Sequence, residues 1–164
     1  YSGSGKSTLA KYLGGFFHAP VLYLDTVQFE ANWTVRDRKE ALRLVAAFME
    51  NESWVIDGNY AAFFQQERLQ QADKIIFLHF SRINCLYRAC KRYFHYRHKT
   101  RESMAPGCSE KLDLEFVWWI LHAGRDAKQR AHEKEIIAAH KEKTILLKNQ
   151  KQLDRFIRNL PSAS

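Results

Sequence analysis

Long apolar runs, cysteine, proline and glycine are all scarce in this sequence, and each shortage removes a class of protein. Apolar stretches such as Ile75 to Leu78 and Phe116 to Leu121 fall far short of the roughly 20 residues that span a bilayer, so no membrane segment is expected. Three cysteines without regular spacing do not form a secreted disulfide framework; with no signal-peptide pattern at the start, they point to reduced thiols in a cytoplasm. Seven glycines and three prolines leave no low-complexity linker and exclude collagen-like or long disordered chains. What is present suits one globular domain: 164 residues, 46% hydrophobic and 27% charged, with 11 Phe, 7 Tyr and 4 Trp for a core.

Acidic residues are also in the minority. Twenty-six Lys and Arg stand against 18 Asp and Glu, a formal charge of +8, which predicts an acidic partner: a nucleic acid or a phosphorylated small molecule. The segment from Arg82 to Arg101 holds Arg82, Arg88, Lys91, Arg92, Arg97, Lys99 and Arg101 with no acid between them.

Hydrophobic spacing predicts a loop feeding a helix through Leu9, Leu13, Phe16 and Phe17, then a strand Val21 to Leu24 ending at Asp25. A helix over Arg38 to Met49, a strand Trp54 to Ile56, a helix from about Tyr60 to Gln71, a strand Ile75 to Phe80 and a helix Ile83 to Arg97 follow. Consecutive helices at about 110–122 and 125–141, a strand Thr144 to Leu147 and a helix Leu153 to Leu160 complete the chain. Strands alternating with helices mean a parallel sheet covered on both faces, and the two helices inserted before the last strand look like a lid.

Ser2-Gly3-Ser4-Gly5-Lys6-Ser7-Thr8 matches all but the start of the phosphate-binding loop G-x-x-x-x-G-K-[ST]. That loop works because glycine-permitted turns aim backbone N–H groups at phosphate oxygens, while Lys and Ser/Thr meet the terminal phosphate and Mg²⁺. The first Gly of the pattern would precede Tyr1, so a strand and a glycine are expected ahead of the sequence.

Asp57 ends a strand and is a candidate Mg²⁺ ligand beside Ser7; it can equally be a turn residue with Gly58. Asp25 ends the neighbouring strand and could orient or deprotonate an acceptor hydroxyl, or simply cap the next segment. Phe29 and Trp33, with Arg36 and Arg38, suit a planar or phosphorylated acceptor, although core packing and solvated charge explain them as well. Arg88 and Arg92, four apart on one helix face, can stack on a base and offset charge in phosphoryl transfer, unless that face is merely solvated. Arg101, Arg125 and Arg130 are further candidates. His95, His98, His132, His140 and the three cysteines lack zinc-ligand spacing.

These motifs resemble the DNA topology modulation (FlaR-like) family of small P-loop kinases, related to adenylate and shikimate kinases. The similar stretches are residues 2–10, Tyr23-Leu24-Asp25, Trp54 to Tyr60 and Ala72 to Leu78; residues 99–116 look like the family's lid signature. The resemblance implies a nucleoside-monophosphate-kinase-like P-loop fold, with a parallel five-stranded sheet flanked by helices, its core at 1–92 and 129–164 and a helical lid at 93–128. It also implies ATP and Mg²⁺ as cofactors, Arg88 and Arg92 at the approach to the lid, and Asn149 beside the adenine. Adenylate kinases carry an Arg shortly after Asp-Gly to grip the acceptor phosphate, where this chain has Asn59-Tyr60-Ala61-Ala62.

The expected site is therefore Lys6, Asp25, Arg88 and Arg92 for catalysis, and Ser2 to Thr8 with Arg88 and Asn149 for ATP. Ser7 and Asp57 are expected to hold Mg²⁺, and Asp25, Trp33, Arg38, Gly58, Asn59, Arg101 and Arg125 the acceptor. The expected function is phosphoryl transfer from ATP to a small-molecule or nucleotide acceptor. The alternative is an ATP-binding, nucleic-acid-associated regulator affecting DNA topology, a less favoured reading because no known nucleic-acid-binding signature is present.

Overall fold

The computed structural model describes residues 1–96, 103–108 and 112–161. It is an α/β structure whose strands are short and parallel. In chain order the elements are α1 (Lys6–Phe16), β1 (Val21–Tyr23), α2 (Leu24–Gln28), α3 (Arg38–Met49), β2 (Val55–Asp57), α4 (Gln65–Gln71), β3 (Ile75–Leu78), α5 (Arg82–His95), α6 (Leu114–Leu121), α7 (Ala127–Ala139), β4 (Thr144–Leu147) and α8 (Gln150–Arg158). Short 3₁₀ turns lie at Ala31–Trp33, Ala123–Arg125 and Lys141–Lys143. Among the described residues no helix is long and apolar enough to cross a membrane.

The chain packs as two compact units. The first holds residues 1–5, 72–95 and 111–164; the second holds 6–71 and 96–110. Of the stretch 93–128 expected to form a lid, residues 97–102 and 109–111 lie outside the described residues, Arg101 among them.

In the second unit β1 pairs in parallel with β2, Val21 opposite Val55 and Tyr23 opposite Asp57. The apolar run Val21 to Leu24 does not stay extended to its end: Leu24 opens α2 instead and is fully buried. It packs with Val27, Ala41, Val45 and Phe63, with Leu22, Ile56 and Tyr60 at the margin. Asp37 starts α3 by accepting hydrogen bonds from the Lys39 and Glu40 N–H groups, the usual way of satisfying orphan donors at a helix start. Where a helix from Tyr60 was expected, turns run to Phe64 and α4 begins at Gln65. Phe64 takes a left-handed φ of 48°, which a non-glycine residue cannot repeat through a helix.

In the first unit β3 pairs in parallel with β4, Ile75 opposite Thr144 and Leu78 opposite Leu147. Asp113, Asp126 and Asn149 cap α6, α7 and α8 through their side chains. Among the described residues the strands form these two pairs, where the resemblance implied one five-stranded sheet.

Candidate functional site

The expected phosphate loop is shared out by the packing: residues 1–5 belong to the first unit and Lys6 onward to the second.

In the second unit Lys6, Ser7 and Thr8 form the first turn of α1, where unsatisfied N–H groups and the helix dipole favour an anion. The Ser7 hydroxyl donates a 2.6 Å hydrogen bond to Oδ2 of Asp57, the last residue of β2. Two hard oxygen donors of this kind, a hydroxyl and a carboxylate, fit Mg²⁺, which takes few protein ligands and keeps several waters. Gly58 follows with φ 135°, and a Cβ there would stand 2.7 Å from Cβ of Leu24. Only glycine lets the chain leave β2 this close to the buried Leu24.

Asp25 sits in the first turn of α2, and its Oδ1 accepts a 2.7 Å hydrogen bond from the Tyr60 hydroxyl. Burial, then the nearby Asp25 and Asp57 carboxylates, push the Tyr60 phenol well above its ordinary value, so it stays protonated and acts as a donor. Sequence reasoning missed Tyr60; its place in Asp57-Gly58-Asn59-Tyr60 was the available signal.

The other acceptor candidates of this unit are tied into its framework. Arg38 donates to the Ala62 carbonyl, and Asn59 accepts from the Gln65 side-chain amide. The Trp33 backbone N–H donates to Cys108 Sγ, and the Trp33 ring stands edge-on to Phe29 at 5.3 Å. Arg36 donates to the Val27 carbonyl and pairs with Glu30 and Glu40.

In the first unit Ser2 and Gly3 lie in a turn from Tyr1 to Ser4, closed by hydrogen bonds from the Ser4 N–H and hydroxyl to the Tyr1 carbonyl. Gly3 and Gly5 have φ of 75° and 93°. A Cβ on Gly3 would lie 2.3 Å from the Cys85 carbonyl oxygen, so the loop closes against the start of α5. Arg88, on α5, donates to the Ser4 carbonyl at 3.0 Å and to Oε1 of Gln150. Its guanidinium lies 4.5 Å from the centre of the Phe80 ring. One face of the guanidinium is thus covered by a protein ring, and its donors brace the loop. Arg92, one turn on, is partly buried. Asn149, the α8 cap, accepts from the Gln152 N–H.

Arg125 lies 3.9 Å from the centre of the Tyr1 ring and donates to Cys85 Sγ. The Tyr1 hydroxyl donates to Oε2 of Glu133 at 2.9 Å, and His79 shares a 2.5 Å hydrogen bond with its Oε1. Burial and the Glu133 hydrogen bond push the Tyr1 phenol up to about 12. Burial alone would raise the Glu133 carboxyl, but the hydrogen bonds from His79 and Tyr1 outweigh it and hold the group below its ordinary value.

No protein-family model, curated protein or solved structure matches the chain.

Proposed function

We propose that the chain is an ATP- and Mg²⁺-dependent phosphotransferase with a nucleoside-monophosphate-kinase-like fold, similar to the small P-loop kinases of the DNA topology modulation family. The observation that carries this reading is the 2.6 Å hydrogen bond between Ser7 and Asp57. The sequence marks both residues for Mg²⁺ on separate grounds, a loop motif and a strand end, and they meet although 50 positions apart. Lys6 supplies positive charge to the phosphates at the start of α1, where the N–H groups of the first turn favour an anion. Ser7 and Asp57 would hold Mg²⁺, which when bound offsets phosphate charge. Asp25 orients the acceptor, and Arg88 keeps the loop backbone in place at Ser4.

The test is binding of a fluorescent ATP analogue with and without Mg²⁺. Affinity should rise with Mg²⁺ in the natural sequence, lose most of that rise in Ser7→Ala and Asp57→Asn, and fall in Lys6→Ala. Mg²⁺-independent binding that is indifferent to all three substitutions would remove the assignment.

One feature favours the alternative, an ATP-binding regulator on nucleic acid. Ile83, Tyr87 and Phe94 on α5 are exposed, as are Arg82 and Lys91 on the same helix, and a single strand is bound by such aromatic and cationic side chains together. Nucleic-acid affinity that falls steeply with salt, without ATP turnover on any acceptor, would decide for it.

A further inference from the structure

The kinase reading leaves the acceptor unnamed, and the groups around Asp25 narrow it. Tyr60 occupies Oδ1 of Asp25 as a donor, which leaves Oδ2 for another partner. An ionised carboxylate only accepts hydrogen bonds, so whatever meets Oδ2 must bring a proton, as a hydroxyl does. A phosphate or carboxylate would bring charge of the same sign as Asp25 and Asp57 and would need a cation to receive it.

Among the described residues, the arginines bonded to the segments around these carboxylates already hold other partners. Arg36 holds the Val27 carbonyl with Glu30 and Glu40, and Arg38 holds the Ala62 carbonyl. Arg68, buried on α4, donates to the carbonyls of Phe63 and Tyr60. Withdrawing Arg68 would strand buried backbone acceptors, which is costly. Its two bonds fix the turn that carries Tyr60 to Asp25.

We infer that the acceptor is an uncharged polyhydroxy compound of the sugar, polyol or nucleoside kind, whose hydroxyl donates to Oδ2 of Asp25, with Tyr60 as the positioning residue that aims this carboxylate. The inference rests on the kinase reading. In the step it describes, the acceptor oxygen bonds to the γ-phosphorus of ATP while the bond from that phosphorus to the β,γ-bridging oxygen breaks. ADP leaves with the electron pair, and the hydroxyl proton passes to Asp25 Oδ2.

The experiment uses the full chain with Mg²⁺ and ATP and matched acceptors: adenosine and AMP, ribose and ribose 5-phosphate, glycerol and glycerol 3-phosphate. ADP release is followed and products are identified by mass. The uncharged member of at least one pair should raise turnover about tenfold or more over its phosphorylated counterpart and over water. Tyr60→Phe should then lower kcat on that acceptor by about ten- to a hundredfold, the cost of a misaimed carboxylate, with ATP affinity unchanged. A Tyr60 that served only the core would lower the melting temperature and ATP affinity together, and that result overturns its positioning role. Faster turnover of the phosphorylated members, or no stimulation by any uncharged one, overturns the acceptor class and leaves the kinase reading standing wherever ATP binding still requires Lys6 and Mg²⁺. If that requirement is absent, both fall.

Discussion

The two compact units each contain one parallel strand pair, yet they bury their apolar residues differently and present different chemistry at the carboxyl ends of those strands. The second unit sets Asp25 and Asp57 beside a cluster in which Leu24, Val27, Ala41, Val45 and Phe63 are all almost completely enclosed. The first unit leaves Ile83, Tyr87, Phe94, Leu114 and Trp118 largely exposed, and its polar groups brace the glycine turn through Arg88. The lesson is one of positioning. Carboxylates that must be held in place stand directly on buried side chains, as Asp25 stands next to Leu24 in sequence and Gly58 against it in space. The turn of the first unit is held by hydrogen bonds to its own backbone.

The sharpest way to break this comparison is Lys6→Ala, which removes charge without touching either core. Turnover should fall by about a hundred- to a thousandfold or more while circular dichroism stays unchanged; an active variant would end the kinase reading. Leu24→Ala should come next, at about 2–5 kcal/mol of stability in urea unfolding, because nothing can refill the space under Asp25 cheaply. Gly3→Ala forces a side chain into a left-handed turn against the Cys85 carbonyl, and it should cost about 1–3 kcal/mol with a matching loss of ATP affinity.

The fourth prediction concerns acid. A carboxyl held below its unfolded value stabilises the fold above that value and loses the contribution as pH falls through the folded value. Glu133 should therefore support the melting temperature fully above pH 4.5 and progressively less below it, and Glu133→Gln should flatten that acid limb. The smallest effect belongs to the exposed apolar residues: Tyr87→Ser and Trp118→Ser should each change stability by about 0.5 kcal/mol or less. A loss approaching that of Leu24→Ala would mean that the first unit buries these side chains in solution and would erase the contrast.

Much of the fold was legible because its signals are local. The spacing of Leu9, Leu13 and Phe16 marks α1, and short β-branched and apolar runs mark β2, β3 and β4 to within a residue or two. The end of β1 was not legible, since Leu24 is as apolar as Val21 and only its burial under α3 decides that it starts a helix. The turn at Tyr60 to Phe64 was hidden for a related reason: its shape is fixed by Arg68 and by Asp25, the latter 35 positions away. Ser7 and Asp57 could be nominated from motifs. That Arg88 would spend its donors on Ser4 and Gln150 could not, because those partners lie 84 and 62 positions away and no spacing rule connects them.

The raised phenol of Tyr60 also makes the protein its own indicator. Among seven tyrosines, Tyr60 and Tyr1, whose ionisation is held back by their own burial and then by neighbouring carboxylates, should develop the near-ultraviolet absorbance of tyrosinate late in an alkaline titration. Tyr60→Phe would identify its share of that late signal. A compound that engages Asp25 should then shift the late step without any label, so occupancy beside the carboxylate could be followed optically before a single turnover is measured.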